Sequence, residues 1–147
     1  MKRKEIFLKI KSGIKSSRDN FEFKWCSDIR LLKNKAVNVY EHENHLSLNL
    51  GEIEVFENIK LNYGTNSNNE FKLKSISGTY ADYKDAKCLT ERLIETLGEP
   101  DEYTDVQEHL FAYWSENDII IQVCTRDHHG GPWFEYSISK KSCTQDR

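Results

Sequence analysis

Three observations make this sequence an α+β domain built on an antiparallel sheet. Apolar residues alternate with period two over 37–63 and again over 110–138, the spacing of half-buried strands. One segment breaks that period: Ala86, Leu89, Leu93 and Leu97 recur at spacings of three and four, which is one face of a helix. Strand runs interrupted by isolated helices, not alternating with them, put the helices on one face of an antiparallel sheet of about six to eight strands.

The 147 residues suit one domain, 1–147. Aromatic residues are 12% of the chain and supply much of the core. With 31% charged residues and two prolines, collagen-like and proline-rich classes are excluded. No apolar run reaches the ~18 residues of a membrane helix. Lysines interrupt the opening MKRKEIFLKIKSG and no small-residue cleavage site follows, so it does not read as a secretory signal. A cytoplasmic protein is expected.

Taken in order, Ile6, Phe7, Ile10 and Ile14 form a helical stripe with Gly13 near its end. Phe21, Phe23 and Trp25 alternate as a strand, and Ser27 is placed to cap a short helix carrying Ile29, Leu31 and Leu32. Val37, Val39 and then Leu46, Leu48 and Leu50 predict two strands about a turn at Glu43-Asn44. Gly51 marks a bend, with Ile53 and Val55 continuing the alternation. Ile59, Leu61 and Tyr63, then Phe71, Leu73 and Ile76, give two more strands about a polar turn.

The long helix is expected over 82–97, capped by Asp82, with Gly98 in a left-handed C′ position and Pro100 blocking continuation. An acidic loop follows. Leu110, Ala112 and Trp114, then Ile119, Ile121 and Val123, then Phe134, Tyr136 and Ile138 predict three strands. Asn117-Asp118 and Asp127 to Pro132 are their turns. Leu46, Leu48, Leu89, Leu93, Ile119, Ile121 and Phe134 are core candidates, and 142–147 is a polar, disordered tail.

Charge is unevenly spread. Residues 1–35 hold eleven Lys/Arg against four Asp/Glu, whereas residues 36–116 hold six against sixteen. Such asymmetry steers a partner of opposite sign, or the two stretches meet each other within the fold. The four cysteines show no CxxC spacing, and without a leader they read as free thiols.

Motifs for chemistry are sparse. Cys124, Asp127, His128 and His129 fall within six residues, but adjacent side chains diverge and Gly130-Gly131-Pro132 marks a turn. His42 and His45 flank a turn beside Glu41 and Glu43, an equally thin metal set. No phosphate-binding glycine loop, zinc-protease helix or nucleophile elbow occurs. Neither a cofactor nor a metal is expected, and the chain is read as a non-enzyme. The alternatives are a nucleic-acid-binding or regulatory protein using the basic N-terminal arm, and a small enzyme or metal-binding domain using Cys124, His128 and His129.

Residues 80–140 resemble small bacterial proteins of the toxin-immunity kind. The matching features are the helix ending Leu97-Gly98-Glu99-Pro100-Asp101, the Tyr113-Trp114 strand, and the hairpin through His128, His129 and Trp133. The resemblance implies a protein that binds and blocks a cognate toxin domain. A basic nuclease would suit the acidic middle of this chain. The expected partner surface is Tyr40, Glu41, Glu43, Glu52, Glu54 and Glu57, because Ile53 and Val55 claim the inward side of that strand. The alternative surface is the acidic loop, Glu99, Asp101, Glu102 and Asp105.

Overall fold

Alternating apolar side chains bury only if strands lie side by side with one face covered, and the computed structural model shows that arrangement. It describes residues 2–16, 21–27, 39–42, 45–48, 59–65, 71–126 and 132–141. The elements are α1 (Lys2–Lys9), β1 (Gly13–Ser16), β2 (Phe21–Lys24), β3 (Val39–His42), β4 (His45–Leu48), β5 (Ile59–Thr65), β6 (Phe71–Tyr80), α2 (Tyr83–Leu97), β7 (Glu102–Val106), β8 (His109–Glu116), β9 (Ile119–Arg126) and β10 (Trp133–Lys140). The class is α+β. Several expectations lie outside the described residues: the Ser27-capped helix, the Glu43-Asn44 turn, Gly51 with Ile53 and Val55, the turn at His128 and His129, and the tail. Ser27 itself donates its hydroxyl back to the Lys24 carbonyl at 2.6 Å.

The main sheet is antiparallel, in the order β3-β4-β5-β6-β10-β9-β8-β7. Its one non-local step follows from the length of α2. Fifteen residues at 1.5 Å each span ~22 Å. Four interstrand spacings, from β6 to β7, come to ~19 Å. The helix therefore carries the chain across the sheet, and β7 to β10 step back until β10 pairs with β6.

The core lies between α2 and the four strands β6, β10, β9 and β8. Ala86, Leu89, Leu93 and Leu97 are buried on α2, as their spacing predicts. Facing them are Ile76, Leu110, Ala112, Trp114, Ile119, Ile121, Val123, Phe134, Tyr136 and Ile138. Thr90 is fully buried within α2, and its hydroxyl donates to the Ala86 carbonyl at 2.8 Å, so burial leaves it satisfied. Gly78 on β6 lies opposite Tyr136 on β10, and the tyrosine ring fills the space where a Cβ would stand.

Four expectations need correcting. The N-terminal helix ends at Lys9, and Ile14 is buried from strand β1, which pairs with β2. A strand at Phe21 and Phe23 needs a neighbour, and Gly13 favours leaving the helix. Asp82 sits at the N-cap but makes no side-chain cap bond. Gly98 has φ 87° and ψ −167°, an extended positive-φ conformation that only glycine adopts, not the left-handed one. Its N–H donates to Ile94 at 2.8 Å, and its carbonyl accepts the Trp114 indole N–H at 2.9 Å, tying the helix end to β8. The fourth concerns sulfur: Cys88 and Cys124 are free, but Cys26 is disulfide-bonded. Cys26 also holds φ 67° in the turn after β2.

The acidic edge strand

Glu102 to Val106 form β7 and pair with β8, so most of the expected acidic loop is an edge strand. Two features conceal it in sequence. Glu102, Tyr103 and Thr104 are all exposed, so no apolar alternation marks the strand. The turn is Gln107-Glu108, with φ 51° and 65°, whereas asparagine and glycine normally supply such positive-φ pairs. The Asn117-Asp118 turn, at φ 54° and 67°, was legible because it uses the usual residues.

Two basic side chains hold this edge. From α1, the Arg3 guanidinium reaches both Asp101 carboxylate oxygens at 3.0 Å and donates to Glu116 at 2.8 Å. It also donates to the Ser115 carbonyl at 3.2 Å and covers the Phe7 ring at 5.7 Å. Asp101 in turn accepts the Ser115 N–H at 2.9 Å. At this point the basic arm meets the chain's own acidic stretch, one of the two outcomes expected from the charge pattern.

Further along, Asp105 accepts the Tyr83 hydroxyl at 2.8 Å and the Lys87 ammonium, both from the first turns of α2. Lys87 also donates to the Tyr103 hydroxyl at 2.8 Å. The Lys87 hydrogen bond holds Asp105 below the usual carboxylate range, against the effect of burial. Bonds to Asp105 and then Tyr103 push Lys87 up. The bond to Asp105, followed by burial, pushes the Tyr83 phenol up. Each shift favours the protonation state present at neutral pH, so the cluster is an anchor with no group poised to give or take a proton there. The exposed carboxylates of Glu99, Glu102 and Glu108 have no side-chain partner among the described residues.

Only part of the other acidic set can be placed. Tyr40 and Glu41 lie on β3, where Tyr40 is opposite Ser47 and Glu41 is opposite Leu46. Glu43, Glu52, Glu54 and Glu57 lie outside the described residues. Because β3 and β7 end opposite sides of one sheet, seven interstrand spacings separate them, on the order of 30 Å. Tyr40 and Glu41 therefore do not share a patch with the acids of β7.

The metal candidates are only partly placed. His42 and His45 are register partners across the β3–β4 hairpin, and His128 and His129 lie outside the described residues. No three metal-ligating side chains converge among the described residues. Cys124 is buried on β9, and burial pushes its thiol up, away from the reactive thiolate. No helix among the described residues is long and apolar enough to cross a membrane.

Comparison with family models, with curated proteins and with solved structures finds no match to this chain in any of the three.

Proposed function

We propose that the chain is a non-enzymatic binding protein, an immunity protein that binds and neutralises a cognate bacterial toxin domain of basic character. The observation that supports this reading is the split among the acids at the β7 edge. Asp101 and Asp105 are held by Arg3 and Lys87, while Glu99 and Glu102 stand exposed beside them with no side-chain partner among the described residues. Fixed backbone with unneutralised carboxylates is a preorganised surface for a cationic protein, and it speeds association with one. The β3 edge, with Tyr40 and Glu41, is the second candidate surface. Neutralising a toxin inside the cell places the protein in the cytoplasm; the Cys26 disulfide is the observation that favours an oxidising compartment instead.

The test uses the protein domain encoded immediately upstream of this reading frame. It should bind the purified chain with an association rate that falls as salt rises. Reversing Glu99 and Glu102 to lysine should slow that association, while Glu41→Lys leaves it unchanged. The opposite pattern moves the surface to β3. Absence of binding, or steeply salt-dependent binding to nucleic acid lost on neutralising Lys9 and Lys11, removes the immunity reading.

A further inference from the structure

Every interior strand of a sheet has both backbone edges paired, and a terminal strand has one. The two-residue turn at 107–108 closes on the Val106–His109 pair. The backbone groups of Glu102, Thr104 and Val106 therefore face β8, and those of Tyr103 and Asp105 face outward. The next strand agrees with this phase: the Leu110 N–H turns to β9 and donates to Thr125 Oγ1 at 2.8 Å. No hydrogen bond reaches the outer edge of β7 among the described residues.

This edge is also where exposed apolar surface concentrates. Leu8, Tyr103 and Val106 are the large hydrophobic residues exposed among those described, and two of them lie on this five-residue strand. Tyr103 is 43% exposed and Val106 59%. They project to opposite faces, as alternate strand positions must. An added strand would bring its own alternating side chains against both.

Resting on the protein-binding reading above, we infer that β7 is the acceptor edge for strand addition by a basic, extended segment of the partner protein. Backbone pairing to Tyr103 and Asp105 supplies the register, and Tyr103 and Val106 supply apolar contact on the two faces. Lysine or arginine beside Glu99 and Glu102 supplies the charge complement. A second copy of this chain is a poor occupant, because it would bring the same acids together. The anchors matter here: Asp101 tied to Arg3 and Asp105 tied to Lys87 and Tyr83 keep the edge extended before a partner arrives.

Two measurements test this on the intact protein. In the first, a short peptide alternating lysine with valine is titrated while backbone amides are followed by nuclear magnetic resonance. The Tyr103 and Asp105 amides should shift and gain protection from hydrogen exchange, with β3 amides unmoved. In the second, Tyr103→Pro removes an outward N–H without touching the β8 ladder, and Tyr103→Thr removes the ring but keeps the N–H. Tyr103→Pro should bind the upstream-encoded domain at least about tenfold more weakly than Tyr103→Thr does.

If the peptide leaves those amides unmoved and both variants bind the domain alike, strand addition is overturned while the binding function stands. If the peptide seats on β7 but the wild-type chain ignores the domain, the toxin reading falls and strand addition survives. Dimers that Tyr103→Pro abolishes would make the occupant a second copy and overturn the proposal.

Discussion

Gly78 owes its identity to a neighbour across the sheet. Adding a methyl group there would drive it into the Cε2, Cζ and hydroxyl of Tyr136, whose ring also lies 5.1 Å from that of Tyr80. Gly78→Ala should cost ~1–3 kcal/mol, the usual penalty for overpacking, and denaturant melts read it directly. A neutral result would mean that Tyr136 moves aside freely. The Asp105–Lys87–Tyr83 cluster makes a prediction about pH. Asp105 is depressed, so its contribution to stability is complete above its unfolded value of ~3.9 and is lost as pH falls through the folded value. Lys87 and Tyr83 are raised, so theirs are present below about 10 and lost as pH rises through the folded values. The melting-temperature difference between wild type and Lys87→Met should stay flat across neutral pH and narrow at both extremes. A difference unchanged at about pH 2 would show that Lys87 acts through packing and not through its charge.

At the scale of elements, α2 both spans the sheet and covers it. Leu93 is 1% exposed at the centre of its apolar face, and Leu93→Ala should cost ~2–5 kcal/mol in denaturant unfolding. A cost under ~1 kcal/mol would mean that the face repacks. The buried face of this helix was legible, because Ala86, Leu89, Leu93 and Leu97 all bury where a 3.6-residue period puts them, while the geometry of its two caps was not. Also legible were β8, β9 and β10, whose alternating apolar residues are all buried; on β9, Cys124 is buried as well, beside Val123. β7 was not, since an edge strand with exposed Glu102, Tyr103 and Thr104 carries no period-two signal. Neither was β1. Four residues containing glycine, lysine and serine become a strand only because Phe21 to Lys24 pair with them. The acids of the candidate site could be named from sequence, but their division into anchored and unpaired could not. That depends on Arg3 and Lys87 arriving from two helices.

For the whole molecule, the cysteines offer the most direct check. Alkylation of the unfolded, unreduced protein should modify Cys88 and Cys124 and leave Cys26 untouched until a reductant is added. Labelling of Cys26 without reductant would restore the expectation of free thiols and remove the objection to a reducing compartment.

Arg3 bonds to Asp101 and Glu116, which follow it by 98 and 113 residues. During synthesis at ~5–20 residues per second, the first helix therefore emerges many seconds before its docking site exists. Eight residues are too few for a helix to persist alone in water, where ~12–15 are marginal. Phe7, completely buried in the finished protein, belongs to a core whose members from β8, β9 and β10 are not yet made in that interval. α1 thus waits on partners made long after it, and a chain arrested before β8 leaves Arg3 without Glu116 and Phe7 without most of its core.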